Sequence, residues 1–118
     1  MTEEDKKLLF IDLCARLPYG VKFSYISDSN MQPFILTDIG LMMRYSIEEG
    51  HVKPYLRSIN SMTEDEKKEW IHLRTEVEKY TIGYHAVVDF YNAHHFDYRG
   101  LLYDDLAIEA PEWMYNFN

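Results

Sequence analysis

The chain has 118 residues and sets 12 Lys and Arg against 20 Asp and Glu, a formal net charge of -8, with 47% hydrophobic and 15% aromatic residues. That aromatic content excludes a disordered chain, and the length predicts a single domain over residues 1–118 able to bury roughly two-thirds of its unfolded surface. The lone Cys14 excludes an intramolecular disulfide and a Cys-only zinc site within one chain, which predicts a reducing compartment. Met1 to Lys7 lacks the apolar stretch of a secretory leader, and no apolar run nears the roughly 18 residues of a membrane span, so a cytoplasmic protein with no membrane partner is expected.

In chain order, Thr2 followed by Asp5 reads as an N-cap with an acid in the first turn, and Leu9, Leu13 and Leu17 recur at helical spacing. Pro18 and Gly20 end this first helix. Val21, Phe23 and Tyr25 then alternate with Lys22 and Ser24, and Asp28, Ser29 and Asn30 supply turn chemistry before Phe34, Ile35 and Leu36. Gly40 separates that run from Leu41 to Ile47, and Gly50 precedes Val52. The spacing predicts three or four short antiparallel strands in a meander, because the loops are too short for parallel crossovers.

Further on, Thr63 and Glu66 form a capping box ahead of Trp70, Leu73, Val77 and Tyr80, which predicts a second helix. After Ile82 and Gly83, the residues Tyr84, Val87, Val88 and Tyr91 predict a third helix running to about His94. The expected fold class is therefore α+β: an N-terminal helix, an antiparallel meander, two helices and an irregular aromatic C-terminal segment.

Charge and aromatic residues are unevenly spread. Residues 80–118 carry a net -5, with Arg99 as their single Lys or Arg, and ten of the eighteen aromatic side chains. An acidic, aromatic surface repels phosphate backbones and suits a basic protein partner. In an extended tail Trp113, Tyr115 and Phe117 share one side; with Tyr98, Asp104 and Asp105 they are the candidate partner-binding residues. Packed on the protein itself the three rings complete its core, and docked on a second copy they make a homodimer. Arg99 is a candidate for bidentate pairing with Asp97, Asp104, Asp105 or Glu109, or for holding an anionic ligand.

Three stretches, Leu13 to Val21 (LCARLPYGV), Val52 to Lys67 (VKPYLRSINSMTEDEK) and Asn92 to Tyr115 (NAHHFDYRGLLYDDLAIEAPEWMY), resemble a family of short uncharacterised proteins from gut anaerobic bacteria and their phages and mobile elements. The resemblance implies a small accessory protein with a variable sheet between more constant helical parts. It carries over no cofactor and no catalytic residue. A curled sheet between Gly20 and Arg57 would be similar to an SH3-like half-barrel.

The residues also hold two other chemistries. Lys22, Arg44, Lys53 and Arg57 interleave with Phe23, Tyr25, Tyr45 and Tyr55, a pattern that stacking and phosphate contact could use for single-stranded nucleic acid. Four acids in the same segment balance those bases, which makes nucleic acid the lesser expectation. His94, His95 and Asp97, with His85 and Asp89 one turn apart on the preceding helix, are metal-ligand types that could serve a metal-dependent enzyme. Their spacing matches no closed site, and the simpler reading is a helix end where imidazoles meet the negative end of the dipole. Hydrolysis is poorly supported: Cys14 is expected on the apolar side of the first helix, and no glycine-rich phosphate loop occurs. The leading expectation is a non-catalytic interaction module with no cofactor.

Overall fold

The computed structural model describes residues 1–25 and 33–115. Helix α1 spans Glu3–Arg16, and its first turn is closed reciprocally: Asp5 N–H donates to Thr2 Oγ1, and Thr2 N–H donates to the Asp5 carboxylate, both at 3.0 Å. Glu3, Glu4 and Asp5 sit at its positive end and Arg16 in its last turn, as the helix dipole favours. The face it buries is Leu9, Asp12, Leu13 and Arg16, at spacings of three and four. Cys14 lies on the opposite face, exposed, which corrects the expectation of a buried thiol. A 3-10 turn over Leu17–Tyr19 ends at Gly20, whose φ of 65° lies in the left-handed region open to glycine.

Strand β1 (Lys22–Tyr25) pairs antiparallel with β2 (Phe34–Ile35) and with β3 (Val52–Leu56), with Phe23 opposite Phe34 on one side and Pro54 on the other. The segment between β2 and β3 departs from the sequence reading. Leu41–Glu48 is a helix, α2, rather than a strand of a meander. Leu41, Met43, Tyr45 and Ile47 fall at alternate positions, with the apolar Met42 beside them, and the set contains i,i+4 pairs. The core takes Met43 and Ile47, leaving Leu41 and Tyr45 in solvent.

The sheet is also mixed. Strand β4 (Ile108–Glu109) lies parallel to β3, with Tyr55 opposite Ile108 and Leu56 opposite Glu109, giving the order β2-β1-β3-β4. The long connection that parallel pairing requires is the whole of residues 57–107, including both later helices. The SH3-like expectation rested on a meander, and this order is not one.

Helix α3 (Glu64–Glu78) starts from the expected capping box at Thr63 and Glu66, and α4 (His85–Ala93) returns against it as a hairpin. Two apolar clusters result. One packs α1, α2 and the sheet around Leu9, Leu13, Val21, Phe23, Ile47, Val52 and Leu56, and closes with Leu101, Leu106 and Ala107. The other joins Val87, Phe90, Tyr91 and Phe96 with the half-buried Trp70, Leu73, Val77 and Tyr98. The molecule is thus a small α+β domain, and no helix among the described residues is long and apolar enough to cross a membrane.

Candidate functional site

A cleft of about 750 Å³ opens where the entry of α3 faces the segment that follows β4. Asp65, Glu66 and Glu69 line the α3 side, Glu109, Glu112 and Tyr115 the opposite side, and Arg57 and His94 lie between. Glu66 is the organising group. Its buried carboxylate accepts from Arg57 Nη1 and Nη2, each at 2.7 Å, and from Thr63 N–H at 2.9 Å, while His94 Nδ1 lies 3.0 Å away. Burial alone would raise this carboxyl; the Arg57 guanidinium, the Thr63 N–H and His94 overcome it and hold Glu66 down at about 2.

The consequence is an acidic concavity. Arg57 is committed to Glu66 and stacked over Phe96 at 4.3 Å, so its charge is internally balanced. Asp65, Glu109 and Glu112 make no ion pair among the described residues, and Glu69 reaches only His94 Nε2, at 3.9 Å. Trp113 follows Glu112 in the chain and is 72% exposed.

The other expected partner-binding residues are dispersed. Tyr115 turns inward: Lys22 N–H donates to its hydroxyl at 2.7 Å, and the hydroxyl donates to Tyr55 C=O at 2.9 Å. A turn over residues 112–115 therefore breaks the shared aromatic side expected of Trp113 and Tyr115, and Phe117 lies outside the described residues. Tyr98 is half-buried, stacked on Tyr91 at 5.2 Å and donating to Asn92 Oδ1 at 3.0 Å. Asp104 and Asp105 are exposed beside a smaller cleft of about 230 Å³, where Asp105 meets Lys53 Nζ at 3.0 Å.

Arg99 reaches none of the acids close to it in sequence. Its Nη1 donates to Asp12 Oδ1 at 2.6 Å, and Arg16 Nε donates to Asp12 Oδ2 at 2.9 Å. Arg16, wholly buried, also donates from Nη2 to Phe96 C=O at 2.6 Å. This Arg–Asp–Arg bridge joins α1 to the turn after α4. The sequence carries a trace of it, because Asp12 and Arg16 fall three residues after Leu9 and Leu13 and so share their buried face.

The alternative chemistries are not assembled. Phe23 and Tyr55 are buried, Tyr25 packs edge-on against Phe23 and Phe34, and Tyr45 sits on α2 rather than the sheet. Lys22 Nζ donates to Met114 C=O at 3.0 Å, Lys53 and Arg57 face carboxylates, and Arg44 lies over the Phe10 ring. No group of three His, Cys, Asp or Glu in a metal-holding arrangement occurs among the described residues. His95 is buried, Asp97 accepts from Leu101 and Leu102 N–H, and His85 and Asp89 are exposed on α4.

Comparison with protein-family models, curated proteins and solved structures finds no match to the chain.

Proposed function

We propose that the protein is a non-catalytic interaction module that engages a basic protein segment in the acidic cleft, with Trp113 as an aromatic anchor at its margin. The observation that supports this reading is the cleft itself: five carboxylates face it, and its one guanidinium is neutralised by Glu66. A partner's Lys or Arg side chains would enter a site whose negative charge has little internal competition, while a large exposed ring supplies contact area. An accessory role in a phage or mobile element is the biological setting implied by the sequence resemblance. The chemistry of the proposal is charge complementarity at short range, so binding should weaken as salt screens it.

The test is capture of partners from nuclease-treated host lysate by the intact protein and by a Glu109→Gln, Glu112→Gln, Trp113→Ala variant. A specific partner retained after nuclease and lost in the variant is the expected result. Partners bound equally by both proteins, or only before nuclease treatment, would place the interface elsewhere.

A further inference from the structure

The segment after β4 is held on the sheet by the Ala110 N–H to Leu56 C=O hydrogen bond, by the buried Met114 and by Tyr115, which packs on a buried histidine. The His95 ring, 3% exposed, stacks on Tyr115 with centroids 4.0 Å apart and planes 23° from parallel. Tyr115 is further fixed by Lys22 N–H and Tyr55 C=O, and the Lys22 ammonium donates to Met114 C=O and lies 5.7 Å from the Tyr115 ring centre. His95 itself sits at φ 62°, positioned by its C=O accepting from Arg57 N–H at 2.8 Å and its N–H donating to Asn92 C=O at 3.2 Å.

We propose that residues 110–115 form an acid-releasable strap, in which protonation of His95 ejects Tyr115 from its slot and frees the segment from the sheet. The electrostatic reason is the company His95 keeps. Among the described residues it faces Arg16 from α1, Lys22 from β1, Arg57 just after β3, His94 from the end of α4, and Tyr115 from the strap. The carboxylates of the same cluster are already engaged, Asp12 by Arg16 and Arg99, and Glu66 by Arg57 and His94. A new positive charge there gains little and loses its hydration.

Burial foremost, then Arg16, His94, Arg57 and Lys22, push the imidazole down to about 3. With the strap gone the ring regains water while Arg16, His94, Arg57 and Lys22 stay beside it, so His95 rises towards its ordinary value, about 6.5, as an upper limit. The docked form is therefore fully favoured above that pH and loses ground as pH falls from about 6.5 towards 3. Between pH 7.5 and 5.5 the released-to-docked ratio should rise severalfold, up to about tenfold.

Release would also remove Glu112 and Tyr115 from one wall of the cleft, but it does not depend on what the cleft binds. The experiment follows the free protein alone by NMR, using exchange at the Lys22 amide, which donates to the Tyr115 hydroxyl, and at the Ala110 amide, which donates to Leu56 C=O, with Leu9 and Leu13 amides in α1 as the control. The expected result is an open population growing severalfold, up to about tenfold, over that pH range at Lys22 and Ala110, with α1 unchanged. In His95→Phe, which keeps a stacking ring without a titrating nitrogen, the open population should be independent of pH. If that variant does not fold, His95→Asn, suited to the left-handed backbone, should show a larger open population that is equally independent of pH. The same pH response in the variant, an open population that does not change with pH, or opening of α1 in step with the strap would overturn the proposal.

Discussion

The sheet with α1 and α2, and the α3–α4 hairpin, are stabilised in different ways. The first is an aliphatic core whose members Leu9, Leu13, Val21, Val52 and Leu56 are at most 1% exposed. The second is built of rings that carry polar handles: Trp70 Nε1 donates to the Tyr91 hydroxyl at 2.9 Å, and the Tyr98 hydroxyl donates to Asn92. On α3 the single fully buried residue among those described is charged, Glu66. Aliphatic burial is non-directional and insensitive to pH, whereas the hairpin is seated by hydrogen bonds and an ion pair that have direction and titrate. The same chain thus has one region held mainly by aliphatic burial, with the Arg–Asp–Arg bridge at its edge, and another seated mainly by polar contacts.

Breaking the seam should have the largest effect. Asp12→Ala leaves Arg16 buried without its carboxylate and releases Arg99, and is expected to cost about 3–5 kcal/mol in global stability, read from denaturant unfolding. A loss of well under 1 kcal/mol would show that the Arg–Asp–Arg bridge is not what ties α1 to the turn after α4. Glu66→Gln should cost about 2 kcal/mol, since it weakens charge-assisted hydrogen bonds while keeping a side chain of similar size. Its effect should be regional: faster hydrogen exchange in α3 and α4, little change in α1.

The wild-type protein should show that same regional loosening in acid. Glu66 is held at about 2 against an ordinary value near 4.5, so its contribution is complete above about pH 4.5 and is lost as pH falls towards 2. Uniform loosening of α1 and the hairpin would erase the distinction between the two regions. The smallest effect is expected for Trp70→Phe, about 1 kcal/mol, because the ring is largely retained and one hydrogen bond to Tyr91 is lost. A cost comparable to Glu66→Gln would mean that ring packing, not the ion pair, seats α3.

The sequence revealed most where structure is local. Both capping boxes, Thr2 with Asp5 and Thr63 with Glu66, place helix starts from three-residue spacings, and the helix ending near His94 follows from its apolar period. Leu41–Glu48 was ambiguous because Leu41, Met43, Tyr45 and Ile47 satisfy a period of two and also contain i,i+4 pairs; only the packing of Met43 and Ile47 selects the helix. Strand β4 was illegible for another reason. Two residues carry no period, and their parallel partner lies 53 positions earlier.

Of the candidate site, the acidity of residues 80–118 was visible in composition, whereas the exposure of Trp113 was not, because the tail rings read as well as core. The cleft was not, since it forms only when the α3 entry, near residue 65, meets residues 109–115. Arg99 shows the limit most plainly. Five acids lie within ten residues of it, and its partner is Asp12, 87 positions away.

The bridge from α1 also orders events during synthesis. Arg16 emerges from the ribosome 80 residues before the Phe96 carbonyl that it binds, and β3 emerges 53 residues before β4. Helix α1 is therefore translated long before its buried guanidinium can reach Phe96, whereas the cluster around the α3–α4 hairpin is drawn from residues 59–98. The hairpin, seated mainly by polar contacts in the finished molecule, is the part that can assemble first on a growing chain, and the aliphatic body must wait for translation to pass Ala107.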